Sequence, residues 1–196
     1  ILNKIKLKIQ SIFQFEQWIL LYSFNRSADF STTLYKYKRI IPPKDSFWAD
    51  PIAVRKDDRY YVFLEELIYK ENKGNAHIAV IEIDEHGNYN NPETVLKRDY
   101  HLSYPFVFEY KNELYMIPES MANRTIELYK CVSFPYKWEF VMNLKENIQA
   151  VDTTIFIKDE RVWMFTNIKE NEGASNYDEL FLFYADELLT TKWKPH

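Results

Sequence analysis

The sequence is poor in residues that several common functional classes need. Only three of its 196 residues are glycine, so it has no glycine-rich loop of the kind that holds phosphates in Rossmann and Walker folds. Its single cysteine, Cys131, cannot form an internal disulfide or a cysteine-rich zinc site. We therefore expect no nucleotide-binding enzyme of those folds. Nothing in the cysteine content points to an oxidising compartment, and we expect a cytoplasmic location.

Positive charge and long apolar runs are also lacking. Lys and Arg number 25 against 29 Asp and Glu, a net charge of −4, which argues against a surface for duplex nucleic acid. No apolar run approaches the roughly 20 residues that a bilayer-spanning helix needs. We expect a soluble domain with neither nucleic acid nor a membrane span among its partners.

Aromatic residues are abundant instead. The chain has 5 Trp, 15 Tyr and 14 Phe, and 46% of its residues are hydrophobic, enough for one domain with a substantial core. Most of these aromatics stand in short alternating runs, and alternation of this kind is typical of half-buried β-strands. The composition indicates an all-β protein.

The first segment differs from the rest. In ILNKIKLKIQSIF the isoleucines recur at helical spacing with lysines between them. This pattern predicts a basic helix or linker over residues 1–16. A membrane-surface anchor and a tether to a preceding fused domain both fit it.

Three later segments align without a gap: ADPIAVRKDDRYYVFLEE from Ala49, SYPFVFEYKNELYMIPES from Ser103 and VDTTIFIKDERVWMFTNI from Val151. Each predicts a β-hairpin, because two strand-like runs flank a short polar turn. Further strand-like runs follow each hairpin, and Trp138 and Trp193 match in two of them. Four antiparallel strands repeated about every 50 residues are typical of a β-propeller. A β-sandwich is the alternative, but it does not predict this self-similarity.

The repeat predicts where each blade begins and ends along the chain. We expect blades at about 47–98, 101–146 and 149–196, and half a blade at 17–41, in a propeller domain over 17–196. A five-bladed propeller, incomplete in this sequence, fits that division. The missing inner strands of the half blade are expected beyond His196.

One edge of the hairpins collects polar residues, because the start of a first strand lies beside the end of the second. If the first strands are innermost, this edge lines the central funnel. The candidate site there comprises Asp50, Glu65, His101, Tyr104, Glu119 and Asp152.

Each candidate also has a structural explanation. Asp50 and Asp152 could cap turns, Glu65 and Glu119 could accept hydrogen bonds from a neighbouring blade, and His101 could be a structural hydrogen-bonding residue. Trp48 could stack on a sugar ring or belong to the core. We predict no cofactor, although hard oxygen ligands at Asp50, Glu65 and Asp152 would allow a divalent cation in the funnel.

Several motifs resemble a known family. FWADP, FLEE, HLSYPFVFE, YMIPES, FP-x-x-W and VDTT together resemble the N-terminal domain of glucosamine inositolphosphorylceramide transferases, from about Trp18 to His196. Similar domains follow formyltransferase-like domains in bacterial proteins. The run FWADPIAV also resembles the entry motif of five-bladed glycoside hydrolases of the arabinanase, xylosidase and invertase-like clan.

The resemblance implies a carbohydrate-related role on a propeller. The hydrolase clan would make Asp50 the base or nucleophile, but its second-blade aspartate is Tyr104 here, and its third-blade glutamate is nearest to Asp152. These two departures put hydrolysis by paired carboxylates in doubt.

Three functions follow as hypotheses. The first is recognition of a saccharide or glycoconjugate within a larger glycan or glycolipid biosynthesis protein, with Trp48, Glu65, His101 and Tyr104 binding the sugar. The second is a glycosidase or glycosyl-transferring enzyme that uses Asp50 with Glu119 or Asp152. The third is a scaffold that docks a fused partner domain, for which a formyltransferase-like domain is the candidate.

Overall fold

The computed structural model describes residues 17–24 and 33–196. The helix or linker expected over 1–16 lies outside these residues. The secondary structure is almost entirely β, with three three-residue 3-10 turns at Leu34–Lys36, Asn72–Gly74 and Met121–Asn123. No helix of the described ranges is long and apolar enough to cross a membrane.

Three four-stranded antiparallel sheets follow one another along the chain, as the repeat predicts. Blade 1 contains β3 (Ser46–Lys56), β4 (Arg59–Ile68), β5 (His77–Ile83) and β6 (Glu93–Leu96). Blade 2 contains β7 (Ser103–Tyr110), β8 (Glu113–Ser120), β9 (Thr125–Ser133) and β10 (Lys137–Glu146). Blade 3 contains β11 (Ala150–Lys158), β12 (Arg161–Ile168), β13 (Leu180–Ala185) and β14 (Lys194–Pro195). The all-β propeller fold is confirmed.

Two further strands, β1 (Leu20–Tyr22) and β2 (Lys38–Ile40), pair as a separate two-stranded sheet. Both strands lie within residues 17–41, for which the sequence predicts half a blade. Leu20 and Ile40 are buried against blade 1, in a cluster that includes Leu64 and Ile81. This small sheet therefore packs on the face of blade 1 as a neighbouring blade would.

The hairpins that begin the blades turn without glycine. Their central residues are Asp57 and Asp58, Lys111 and Asn112, and Asp159 and Glu160, all with positive φ. Positive φ at both positions is the type I′ turn, whose twist matches the twist of the flanking strands. Because the turns lie at one end of each hairpin, they leave the opposite edge to the polar residues.

Large side chains fill the space between blades. Phe63 of blade 1 meets Trp138 of blade 2 edge to face, with ring centroids 5.6 Å apart. The indole nitrogens of Trp138 and Trp193 each donate to a carbonyl three residues earlier, Pro135 at 2.8 Å and Thr190 at 2.9 Å. The tryptophans matched in the sequence thus pack blades together and fix the turn before the outermost strand.

Candidate saccharide site at the inner edge of the blades

The inner strands β3, β7 and β11 share one irregularity. Their pairing with the second strand of the blade shifts between Ala49 and Ile52, between Ser103 and Phe106, and between Val151 and Thr154. These shifts are β-bulges at matched positions of the repeat, and bulges re-aim side chains at the rims of sheets.

A left-handed residue stands at each bulge: Asp50 with φ 49°, Tyr104 with φ 39° and Asp152 with φ 53°. This backbone conformation is rare for residues other than glycine, asparagine and aspartate, and it is strained for tyrosine. Strain of this kind tends to cluster at functional sites. The sequence placed Asp50 at a strand start, but β3 begins earlier, at Ser46, and Asp50 lies at the bulge.

Hydrogen bonds connect four of the candidate residues across blades 1 and 2. Nε2 of His101 lies 3.2 Å from Oε1 of Glu65. Glu65 also lies near enough to Asp50 for its negative charge to raise the pKa of that carboxyl. The backbone N–H of Tyr104 donates to Oδ2 of Asp50 at 3.3 Å. His101, Glu65, Asp50 and Tyr104 therefore lie together at the boundary of blades 1 and 2, with two carboxyl groups among them.

His101 is held on its other side as well. The backbone N–H of Ala76 donates to Nδ1 of His101 at 3.2 Å. The hydrogen bond to Glu65 raises the pKa of His101, and burial opposes that effect. Because Nδ1 accepts from Ala76, the neutral imidazole must carry its proton on Nε2, facing Glu65.

Glu119 is the penultimate residue of β8, and the charges of three other acids act on it. Burial raises its pKa to about 7, and the negative charges of Asp152, Asp50 and Glu65 act in the same direction, with His101 opposing. Burial also raises the pKa of Asp152. Burial and then the charge of Glu65 raise the pKa of Asp50. Carboxyls with different pKa values within one cluster are the usual basis for separate acid and base roles.

Tyr104 reaches in the other direction, to blade 3. Its hydroxyl lies 2.9 Å from Oγ1 of Thr154. Tyr104 thus contacts the inner strands on both sides of its own. We name the set Asp50, Glu65, His101, Tyr104, Glu119 and Asp152 the acidic cluster; within the described ranges, no three His, Cys, Asp or Glu side chains form a metal site as they stand.

Trp48 lies outside the acidic cluster. It is 3% exposed and packs in the core between blade 1 and the two-stranded sheet. Its indole N–H donates to Oε1 of Glu66 at 2.9 Å, and Oε2 of Glu66 lies 3.1 Å from Nε2 of His77. The structure therefore supports the second interpretation of Trp48, a core residue, because its indole ring is buried and not open to a sugar.

Sequence reasoning missed two buried polar groups. His77 lies outside every candidate motif, and it stands opposite Glu66 in the register of β4 and β5. Glu127 was also overlooked. It is 2% exposed and accepts hydrogen bonds from Tyr100, Asn123 and Thr125 at 2.8 to 3.0 Å, and from Tyr129.

Most of the chain matches a known protein family. Residues 38–196 match the family described as glucosamine inositolphosphorylceramide transferase 1, N-terminal. The chain belongs to this family. It is 33% identical over 151 residues to glucosamine inositolphosphorylceramide transferase 1 of Arabidopsis thaliana, covering 77% of this chain and 19% of the relative. The relative from Oryza sativa subsp. japonica is 28% identical over the same length, covering 77% and 20%. The chain thus spans about a fifth of the length of the curated relatives it matches.

Solved structures share the fold at low sequence identity. The Bombyx mori GH32 β-fructofuranosidase superposes with a TM-score of 0.63 at 16% identity, over 80% of this chain and 38% of that one. The exo-β-1,3-galactanase of Phanerochaete chrysosporium, solved with β-1,3-galactotriose, gives 0.61 at 13%, over 85% and 42%. Both are propeller glycoside hydrolases, and the likeness shows the fold.

Proposed function

We propose that this domain binds a saccharide or glycoconjugate at the acidic cluster, as part of a larger protein of glycan or glycolipid biosynthesis. The supporting observation is the pair of contacts across blades 1 and 2, from His101 to Glu65 and from the Tyr104 N–H to Asp50, which bring two carboxyl groups together at this edge. Carboxylates accept two hydrogen bonds at once, as neighbouring sugar hydroxyls offer them. The name of the relatives, glucosamine inositolphosphorylceramide transferase, agrees with a sugar-related ligand.

The carboxyl groups of the acidic cluster restrict the kind of sugar that it can bind. Four carboxyl groups gather there, with His101 as the basic group within it. Uronic acids and phosphorylated sugars would bring further negative charge to this edge, and like charges at close range repel. Neutral sugars and amino sugars are therefore the expected ligands.

Saccharide binding is tested with one variant and a matched control. Asp50→Asn keeps a residue type that tolerates the left-handed conformation but removes the carboxylate. We expect it to weaken saccharide binding about tenfold or more, since hydrogen bonds to charged groups contribute about 1.5–3 kcal/mol. Asp57→Asn, with φ 50° in the turn at the other end of the same hairpin, controls for the backbone. Isothermal titration calorimetry against neutral, amino and acidic sugars measures both, and unchanged binding in Asp50→Asn overturns the proposal.

A second candidate function is glycosyl transfer or hydrolysis, and the raised pKa of Glu119 favours it. A buried carboxyl with a pKa of about 7 has the character of a general acid. Glu119 would donate the proton and Asp50 or Asp152 would act as base or nucleophile. Turnover of aryl glycosides with a bell-shaped pH profile, abolished by Glu119→Gln, supports this candidate; saccharide binding without turnover across the panel rejects it.

We also propose a preceding formyltransferase-like domain, a cytoplasmic location and no cofactor. A divalent cation held by the acidic side chains is the alternative to the last of these. The cation is checked by calorimetric titration of the domain with Ca²⁺ and Mg²⁺, where binding that Asp50→Asn abolishes would support it and no heat of binding would reject it.

A further inference from the structure

A polar cleft between blades 2 and 3 has no part in the acidic cluster. Its volume is about 410 Å³, and Asn147, Gln149 and Lys169 are among its lining residues. This volume falls within the range of about 300–1,000 Å³ that small-molecule sites occupy. The cleft is large enough for a ligand and has no assigned occupant.

The cleft lies at the same edge of the blades as the acidic cluster. Arg124 directly precedes β9, whose first residue pairs with Ser120, the neighbour of Glu119. Gln149 directly precedes β11, in which Asp152 is the third residue. Glu119 therefore neighbours the residue that pairs with the start of β9, and Asp152 is three residues after Gln149. Arg124 and Gln149 both line the cleft.

The repeat places Gln149 where His101 stands in the preceding blade. The hairpins from Ser103 and Val151 align without a gap, and counting back two residues from each gives His101 and Gln149. His101 contacts the acidic cluster at the boundary of blades 1 and 2. Gln149 occupies the matching position at the boundary of blades 2 and 3, with an amide that both donates and accepts.

The walls of the cleft are fixed by backbone hydrogen bonds between separate connections. The N–H of Ile148 donates to the carbonyl of Arg124 at 3.1 Å, and the N–H of Lys169 donates to the carbonyl of Gln149 at 3.0 Å. Loops joined in this way need little reordering to receive a ligand, which lowers the entropic cost of binding.

The lining chemistry suits an uncharged, hydroxyl-rich group. Two cations, Arg124 and Lys169, are balanced by Glu170 and Glu172, and side-chain amides make up the rest of the polar lining. Amides offer both donors and acceptors to hydroxyls. An anionic group would gain little from two cations whose charge is balanced by two glutamates.

We propose that this cleft binds a second, uncharged saccharide unit of the ligand whose first unit lies at the acidic cluster. This inference rests on the proposed function, and it makes the ligand at least a disaccharide. Gln149 and Lys169 are its binding residues, and they determine preference for chain length.

The test compares galactose, glucose and mannose with neutral disaccharides of each, and with acidic disaccharides, by isothermal titration calorimetry on the domain. We expect the preferred disaccharide to bind about tenfold more tightly than its monosaccharide, a difference of about 1.4 kcal/mol. Gln149→Ala and Lys169→Ala are expected to remove this gain and to leave the monosaccharide Kd unchanged. Lys44→Ala, at an exposed lysine of the turn before β3, is the control, and melting temperatures confirm that each variant folds.

The outcomes separate this inference from the proposed function. Monosaccharide binding that Asp50→Asn weakens, with no gain for disaccharides or no effect of the two cleft variants, overturns the second unit alone. Tighter binding of acidic than of neutral disaccharides also overturns it. No binding of any mono- or disaccharide overturns both.

Discussion

The backbone N–H of Tyr104 donates to the Asp50 carboxylate at 3.3 Å, so the left-handed residues of two neighbouring blades are bonded to each other. The phenol of the same tyrosine lies 2.9 Å from the hydroxyl of Thr154 in the third blade. One residue therefore links three inner strands.

This contact has a measurable contribution to stability. We expect Tyr104→Phe to lower the free energy of unfolding by about 0.5–1.5 kcal/mol, the usual net value of one hydrogen bond. Thr154→Val should cost a similar amount, and the double variant should cost less than the two singles combined, because both remove the same bond. Urea unfolding measures all three. Tyr177→Phe, at a tyrosine that is 79% exposed, should change nothing; additive losses in the double variant would contradict the link.

The raised pKa of Glu119 makes stability depend on pH. Its folded pKa is about 7, above the ordinary value of 4.5, so the folded state holds this proton where the unfolded state releases it. Its contribution is complete below about pH 4.5 and is lost as pH rises through 7. The shift corresponds to about 1–3 kcal/mol after allowance for solvent screening.

Glu119→Gln should abolish that part of the pH dependence, because glutamine does not ionise. We expect the variant to gain stability relative to the wild type between pH 4.5 and pH 8, measured by urea unfolding at both values. Glu109→Gln, at an exposed glutamate of β7, provides the comparison and should follow the wild type. Parallel curves for Glu119→Gln and the wild type would show that the carboxyl ionises normally.

Glu127 is a buried carboxylate stabilised by hydroxyl and amide donors. Burial opposes its ionisation, but the hydrogen bonds from Tyr129, Asn123, Tyr100 and Thr125 outweigh that effect and lower its pKa. The same arrangement raises the pKa of Tyr100 to about 12, by burial first and then by the bond to Glu127.

Glu127→Gln is therefore expected to be strongly destabilising. The new NH₂ group would face hydroxyls that donate to the carboxylate at present, and a buried unsatisfied group costs about 1–3 kcal/mol. We expect a loss of about 2 kcal/mol or more by chemical denaturation. Glu139→Gln on the neighbouring strand, where the glutamate is exposed, should change stability by less than about 0.5 kcal/mol. Equal effects at the two positions would mean that the network contributes little.

The repeat made much of this architecture predictable. Alignment of the hairpins from Ala49, Ser103 and Val151 was sufficient to predict the four-stranded blades and to group the acids at one edge. The matched tryptophans followed from the same alignment, since side chains at equal positions of a repeat meet equal neighbours.

The bulges were not predictable in the same way. Proline follows both Asp50 and Tyr104, and a residue before proline is biased towards extended backbone, yet both residues are left-handed. The contact between His101 and Glu65 also joins a residue just before β7 to a residue within β4 of another blade. Such contacts depend on how neighbouring blades are rotated, which a strand pattern does not encode.

Gly87, in the turn between β5 and β6, lies against the two-stranded sheet. The hydroxyl of Tyr22 in β1 donates to the Gly87 carbonyl at 3.2 Å, and Nζ of Lys38 in β2 donates to the His86 carbonyl at 3.2 Å. A Cβ at Gly87 would lie 2.6 Å from the Tyr22 hydroxyl, and φ there is +86°. The turn of blade 1 therefore holds the two-stranded sheet through a contact that leaves no room for a side chain.

Gly87→Ala should destabilise the domain by two separable effects. The left-handed backbone costs about 1–2 kcal/mol with any side chain, and displacement of Tyr22 adds the loss of its hydrogen bond. Gly74→Ala isolates the first effect, because Gly74 has φ +80° and open space where a Cβ would stand. We expect Gly87→Ala to cost about 1 kcal/mol more than Gly74→Ala in urea unfolding, and Tyr22→Phe to abolish most of that excess. Equal losses in the two alanine variants would mean that the small sheet is not held by this turn.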